Sequence, residues 1–92
     1  MYQICYTNRF KKDLKLCQKR GLNIDLIRTA IEILEHTGSL PPTYLAHRLK
    51  GNRNKQWECH IQPNWLMIWQ QDDQELTLLF LESGTHSDLY GK

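Results

Sequence analysis

Three apolar segments separated by two polar turns fill most of the second half of the chain, and they constrain its fold more than any other feature. The segments span residues 56–62, 65–70 and 75–82, and the turns are Pro63-Asn64 and residues 71–74. Short apolar runs joined by such brief polar turns are typical of antiparallel hairpins. The pattern therefore predicts a three-stranded antiparallel meander.

The first residues of the chain predict a strand and an amphipathic helix. Residues 2–7 alternate between larger apolar and smaller or polar side chains, as a short strand does. Residues 9–20 place lysines on one helix face and an apolar stripe on the other, formed by Phe10, Leu14 and Cys17. Asn8 is a suitable N-cap and Gly21 a suitable end, so we expect a helix over residues 9–20.

A second helix is predicted from Asn23, or a residue beside it, as far as Gly38. Residues 38–46 then contain two consecutive prolines, which cannot continue a helix, and are expected to form a loop. The predicted fold is a single α+β domain over residues 1–92. In it, an N-terminal strand and a two-helix hairpin precede the meander, and the helices pack on one face of the sheet.

Charge is distributed unevenly along the chain, although the net charge is only +2. Basic residues crowd the first fifth and the segment of residues 48–55, whereas acidic residues dominate from Asp72 onward. A net charge this small does not indicate nucleic-acid binding by itself, but the clustering predicts a basic side. The segment 48–55 is equally compatible with a solvated loop.

The three cysteines favour a reducing compartment. Cys5, Cys17 and Cys59 are odd in number, widely spaced and set among apolar neighbours, which argues against both a disulfide framework and a thiolate zinc site. The start of the chain lacks a basic region followed by a long apolar run, and no apolar run reaches membrane-spanning length. We therefore expect a cytoplasmic protein that does not act at a membrane.

Strand alternation predicts a polar face that carries a histidine. If Trp57, Cys59 and Ile61 point toward the helices, their neighbours Glu58 and His60 point to the opposite face. The same alternation separates Cys59 from His60, so a cysteine–histidine nucleophile is not expected. Several histidines without a carboxylate cluster suggest proton transfer that needs no metal.

Three blocks of sequence carry a family resemblance. They are Ala46-His47-Arg48-Leu49-Lys50-Gly51, then Glu58-Cys59-His60-Ile61-Gln62-Pro63-Asn64-Trp65-Leu66-Met67-Ile68-Trp69, then Ser83-Gly84-Thr85-His86-Ser87-Asp88-Leu89-Tyr90. In order and spacing they closely resemble the YafQ branch of the RelE-type toxins, over almost the whole chain. The predicted fold agrees with that of this family.

The resemblance implies a metal-independent endoribonuclease without a cofactor. Such a toxin cuts messenger RNA on the ribosome and is held inactive by a cognate antitoxin. The ribose 2′-oxygen attacks the adjacent phosphorus and the 5′-oxygen leaves, which requires one base and one acid. Two imidazoles can supply both, and each contributes about 10²- to 10⁴-fold to the rate.

Carried over by position, the resemblance assigns three catalytic histidines: His86, His60 and His47. Candidate substrate-binding residues are Arg48, Lys50, Arg53, Lys55, Glu58, Asn64, Trp65 and Tyr90. Of these, Glu58 is also suited to orient a histidine, and Trp65 and Tyr90 are suited to stack on a base. For Trp65, burial in the core is an equally reasonable reading.

Two positions depart from the family's pattern. Asn64 stands where aspartate is common, and an amide cannot act as a base at neutral pH. Glu82 stands where many relatives carry an arginine that steadies the phosphate, and a carboxylate there would repel the substrate. We expect Arg48 or Arg53 to take over that contact, and of the two we favour Arg48.

Two other functions are compatible with the same fold. One is a gyrase-directed binding toxin, although relatives of that kind lack this set of histidines. The other is a catalytically inactive module that binds RNA or an antitoxin, which the two departures leave open.

Overall fold

The computed structural model describes residues 1–53 and 55–91, so residues 54 and 92 of the predicted domain lie outside the description. Its strands are β1 (Gln3–Tyr6), β2 (His47–Arg48), β3 (Gln56–Gln62), β4 (Trp65–Asp72) and β5 (Thr77–Gly84). Its helices are α1 (Asn8–Lys19), α2 (Ile24–Thr37) and α3 (His86–Tyr90). The strands form one sheet in the order β1-β5-β4-β3-β2.

The predicted meander is confirmed, because β3, β4 and β5 pair antiparallel in succession. The N-terminal strand β1 completes one edge by pairing parallel with β5, with Gln3 opposite Thr77. The two-residue strand β2 pairs antiparallel with β3 at the other edge. The sequence did not predict β2, nor the 3-10 turn at Pro42–Tyr44 within the expected loop.

Both long helices begin and end close to the predicted residues. The N-cap of α1 is Thr7 rather than Asn8, and its Oγ1 accepts a hydrogen bond from the Phe10 amide at 3.0 Å. Asn23 caps α2, as predicted. Gly38 ends α2 with φ of 74°, and a Cβ there would lie 2.5 Å from the Tyr2 hydroxyl oxygen, so both the backbone conformation and the space require glycine.

The core lies between the two long helices and one face of the sheet, which confirms the predicted layering. The helices contribute Phe10, Cys17, Ile27, Ala30, Ile31 and Leu34, and the strands contribute Cys59, Trp65, Met67, Trp69, Leu78 and Phe80. Burying one such large side chain stabilises the fold by about 1.5–3 kcal/mol. None of the helices in residues 1–53 and 55–91 combines the length and the apolar character needed to cross a membrane.

The central strand β4 is buried on both faces. Leu66 and Ile68 lie opposite His60 and Glu58 in the register and so face away from the long helices, yet both are 0% exposed. Side chains on this second face must therefore cover them. Because both faces of β4 are covered, five consecutive residues of this strand, from 65 to 69, are buried.

A β-bulge near the end of β5 changes the face to which its last side chains point. Ile68 lies opposite Glu82, whereas the next residue of β4, Trp69, lies opposite Phe80, so Leu81 has no partner of its own. The bulge reverses the alternation. As a result Phe80 points into the helix-side core, whereas Glu82 points to the same face as Glu58 and His60.

Candidate active site

Three elements bring the predicted histidines to the sheet face that lies opposite the long helices. Alternation along β3 places His60 there, as predicted. His47 lies directly opposite Glu58 in the β2–β3 register and therefore shares its face. His86 is the first residue of α3, which follows β5 directly.

The short helix α3 is fixed at its start. Thr85 and Asp88 form a capping box, in which each side chain accepts a hydrogen bond from the other residue's amide. Arg20 holds Asp88 with two hydrogen bonds, of 2.5 and 3.2 Å. The Arg20 guanidinium, and then the Thr85 amide, lower the pKa of the Asp88 carboxyl to about 2. His86 is therefore part of a helix that is fixed against the end of α1.

Asn64 orients His86 through two contacts. Its Oδ1 accepts from the His86 amide at 3.3 Å and lies 3.0 Å from the His86 Nδ1. Because a backbone N–H can only donate, the Asn64 atom between them is the oxygen. That oxygen can only accept, so Nδ1 of His86 carries a proton. In the neutral ring the lone pair is then on Nε2.

His60 is oriented in the same way and lies beside His86. Its Nδ1 is 3.3 Å from the Pro63 carbonyl oxygen, which also can only accept. The two ring centroids are 6.0 Å apart, with an angle of 54° between the rings. Among the described residues, Nε2 of neither ring has a hydrogen-bond partner. Two neighbouring imidazoles that present Nε2 can act as a base and an acid toward one substrate.

His47 belongs to a hydrogen-bonded chain with Glu58 and Tyr90. Its Nδ1 lies 3.2 Å from Leu45 O, and its Nε2 lies 3.3 Å from Glu58 Oε1. Both neighbours accept, so both contacts are satisfied when the imidazole carries two protons. The Tyr90 hydroxyl donates to Glu58 Oε2. Burial, followed by the hydrogen bond to Glu58 and the charge of that carboxylate, raises the pKa of Tyr90 to about 12, so its hydroxyl stays a donor.

The side chain of Glu58 is only 8% exposed, so its carboxylate is better placed to orient His47 than to touch RNA.

The structure contradicts the assignment of Trp65 to substrate binding. Its side chain is 1% exposed and packs in the helix-side core, and its Nε1 donates to Ser83 Oγ at 2.9 Å. A ring buried on both sides offers no surface to a base. The other reading, burial in the core, is the correct one.

Arg48 is also placed away from the histidines. It pairs with Trp57 in the β2–β3 register, and its guanidinium carbon lies 5.9 Å from the Trp57 ring centroid, on the helix side of the sheet. The placement of Arg48 on the opposite face from His47 disfavours it as the phosphate contact. Lys50 and Lys55 are exposed, and their contact with substrate stays a prediction.

Glu82 is paired with cations. Its Oε2 accepts from Arg53 Nη2 at 2.8 Å, and its Oε1 lies 3.5 Å from Arg9 Nη2. Arg53 Nε also donates to Gln56 Oε1 at 2.8 Å. The expected repulsion at Glu82 is therefore offset by two guanidinium groups.

The residues that dock α3 were not predicted from the sequence. These are Thr85, Asp88 and Arg20, and the spacing of Thr85 and Asp88 is a capping-box pattern that could have indicated the helix. Nothing in the sequence connects Arg20 with Asp88, because 68 residues separate them.

Comparison with known proteins gives consistent matches over the whole length. A family model described as the bacterial toxin YafQ of type II toxin–antitoxin systems matches residues 2–91. The mRNA interferase toxin YafQ of Escherichia coli strain K12 is 32% identical over 87 residues, which cover 94% of this chain and 92% of that protein.

Solved structures agree with this match. The E. coli DinJ–YafQ toxin–antitoxin complex contains a chain that is 32% identical, with a TM-score of 0.89 and 98% of both chains covered. A metal-bound toxin from Helicobacter pylori is 36% identical, with a TM-score of 0.87, covering 97% of this chain and 99% of that one. In the described part of the present chain, no three His, Cys, Asp or Glu side chains are grouped so as to fit a metal ion.

Proposed function

Since this chain belongs to the YafQ family of bacterial toxins from type II toxin–antitoxin systems, we propose that it acts as an mRNA interferase, an endoribonuclease that cuts messenger RNA. The observation that carries the catalytic part of this proposal is the pair His60 and His86. Their rings are neighbours, and each is held by an acceptor at Nδ1. Such a pair can move the two protons that RNA cleavage requires.

The reaction follows from these groups. One imidazole takes the proton of the ribose 2′-hydroxyl, and the 2′-oxygen forms a bond to the adjacent phosphorus. The bond from phosphorus to the 5′-oxygen breaks, and the second imidazole protonates that oxygen. The products are a 2′,3′-cyclic phosphate and a 5′-hydroxyl end. Each proton transfer contributes about 10²- to 10⁴-fold to the rate.

His47 has a different part in this proposal. Its Nδ1 and Nε2 are both engaged, by Leu45 O and Glu58 Oε1, so the ring helps to hold Glu58 in place rather than act as a free base. Tyr90, which is 43% exposed, has its hydroxyl bound to Glu58 and leaves ring surface on which a base can stack.

The proposed partners are messenger RNA, the ribosome and a cognate antitoxin, and the proposed location is the cytoplasm. The E. coli relative has been crystallised with the antitoxin DinJ, which supports an antitoxin partner for this chain. Lys50 and Lys55 are exposed on the segment that joins β2 to β3 and are suited to contact the RNA backbone.

One experiment tests both the activity and the site. The chain and a His86→Ala variant are induced in cells, and 5′-hydroxyl ends on messenger RNA are mapped against the reading frame. We expect the wild type to stop growth and to cut at a fixed position within codons. We expect the variant to lose both effects but to keep its fold and antitoxin binding, because His86 is exposed.

Intact messages in growing cells that contain the wild-type chain would contradict the nuclease proposal. Undiminished cleavage by the variant would contradict only the role of His86.

A further inference from the structure

Arg53 is the guanidinium that is best fixed on the histidine-bearing face. It ends the 3-10 turn at Gly51–Arg53, just before β3, and its side chain is 35% exposed. Nε is bound to Gln56 and one Nη2 hydrogen to Glu82, both at 2.8 Å. Both Nη1 hydrogens and the second Nη2 hydrogen have no partner among the described residues. One edge of the Arg53 guanidinium is thus hydrogen-bonded within the protein, and the other edge is available to a ligand.

Glu82 fixes the position of this guanidinium. The bulge at Leu81 turns Glu82 to the same face as Glu58. One row of side chains therefore crosses β3, β4 and β5, formed by Glu58, Ile68 and Glu82. The Glu82 side chain is 17% exposed and is shared between Arg53 and Arg9. Arg9 is shared in turn between Glu82 and Asp13, with both contacts at 3.5 Å, so the shorter contact of Glu82 is the one with Arg53.

The same row links Arg53, through Glu82, to the face that carries Glu58 and His60. Tyr90 binds Glu58 at the other end of the row, and the Arg53 charge acts on the Tyr90 hydroxyl by lowering its pKa, against the stronger effects of burial and of Glu58. His60 lies two residues after Glu58 on the same face of β3. Since Ile68, between the two ends, is fully buried, the charged groups form a rim around an apolar centre.

Resting on the proposed nuclease function, we propose that Arg53 binds the scissile phosphate in this protein, and that Glu82 and Gln56 are the residues that position it. The open side of its planar guanidinium can donate two hydrogen bonds to two phosphate oxygens at once. Arg48 cannot make this contact because it lies over Trp57 on the other face. Arg9 is less confined, since its side chain is 53% exposed and both of its carboxylate contacts are 3.5 Å long.

The test is single-turnover cleavage of ribosome-bound messenger RNA by the full chain. Arg53→Ala should cut about 10²-fold more slowly, with substrate affinity little changed, because one charge-stabilising donor is lost at the transition state. Added guanidinium ion should restore part of the rate of Arg53→Ala. Arg53→Lys keeps the charge but loses the planar guanidinium group. Its cleavage rate should lie between those of the wild type and Arg53→Ala.

Two further variants separate phosphate binding from a general effect on the fold. Arg28→Ala is the matched control and should cut at the wild-type rate, because Arg28 is bound to Asp25 on the exposed surface of α2. Glu82→Gln should lower the maximal rate without raising KM, since the guanidinium is still present but less well fixed. Loss of folding, in contrast, would be visible in the circular dichroism spectrum and would not respond to guanidinium.

The outcomes distinguish this inference from the function on which it rests. If the wild type cleaves and Arg53→Ala cleaves equally fast, or if Arg48→Ala loses as much rate as Arg53→Ala, the assignment of Arg53 is wrong. A rate loss in Arg53→Ala that guanidinium leaves unchanged also overturns it. If the wild type does not cleave, the nuclease proposal itself fails.

Discussion

Each of the three histidines has its Nδ1 next to an oxygen that can only accept a hydrogen bond. The oxygens belong to Leu45, Pro63 and Asn64. What differs is the other nitrogen, because Nε2 of His47 meets a carboxylate, whereas within residues 1–53 and 55–91 Nε2 of His60 and of His86 has no hydrogen-bond partner. Asn64 in place of an acid therefore keeps the orientation of His86 but adds no negative charge beside it.

The hydroxyl of Tyr90 should contribute to stability in a way that depends on pH. Tyr90→Phe leaves the buried Glu58 carboxylate with one donor fewer and should destabilise the fold by about 1 kcal/mol at neutral pH. In the wild type, the folded-state pKa of Tyr90 is about 12, compared with an ordinary value of 10.0. The stabilisation is therefore complete below about pH 10 and is lost between about pH 10 and 12.

Urea unfolding at about pH 9 and 11 would measure this effect. Tyr2, Tyr6 and Cys59 also have raised pKa values, so the readout is the difference between the variant and the wild type. The charged groups acting on Tyr90 are Glu58, Glu82 and Arg53. An equal loss of stability in both proteins over this range would show that Tyr90 is not the source.

At the residue scale, the sequence predicted the direction of a side chain where the two-residue alternation of a strand determines it. Alternation correctly assigned Cys59 to the core and His60 to the opposite face. It did not decide between Arg48 and Arg53, because a two-residue strand has no readable period. Trp65 was equally ambiguous, since alternation alone does not show which face of β4 the helices cover. The position of Glu82 depends on a bulge that leaves no mark in the sequence.

At the element scale, α3 carries both His86 and Tyr90, so its position determines the geometry of the site. Five residues are too few to form a stable helix alone. Its order therefore depends on the capping box and on Arg20, which reaches it from the end of α1. The capping-box spacing can be read from the sequence, whereas the tertiary contact with Arg20 cannot.

Asp88→Asn should loosen α3 and slow cleavage by about 10-fold or more, because a small displacement of His86 is costly. It should also remove part of the acid sensitivity of the fold. The pKa of Asp88 is about 2 in the folded state, below its ordinary value of 3.8. Its stabilising effect is thus present above about pH 4 and lost as the pH falls toward 2.

Thermal unfolding between about pH 5 and 2.5 would measure this contribution. Asp25→Asn is the matched control, since Asp25 also pairs with an arginine but is 76% exposed on α2. A variant at Asp88 that retains the full acid sensitivity of the wild type would contradict the docking role of the ion pair.

At the scale of the whole molecule, two charged regions lie on different sides. The histidines occupy one face of the sheet, whereas α1 lies on the other and exposes four lysines: Lys11, Lys12, Lys15 and Lys19. An acidic antitoxin that engages both regions has to wrap around the edge of the sheet. The basic helix is the region that would hold it electrostatically.

Antitoxin affinity should therefore fall as salt is raised from about 0.1 to 1 M, because screening shortens the range of these charges. Changing the four lysines to glutamine should flatten the dependence, and changing them to arginine should preserve it. Calorimetric titration at several salt concentrations gives the slope. A slope near zero for the wild-type chain would show that the contact is apolar.

The pairing of the first strand with the last has a consequence for biosynthesis. Thr7, just after β1, bonds to Leu81 in β5, 74 residues later. At about 5–20 residues per second, a ribosome needs roughly 4–15 s to deliver that second partner. For most of this interval the nascent chain lacks β5, and throughout it lacks His86. The sheet, and with it the candidate site, can therefore be completed only after the last strand and α3 have been synthesised.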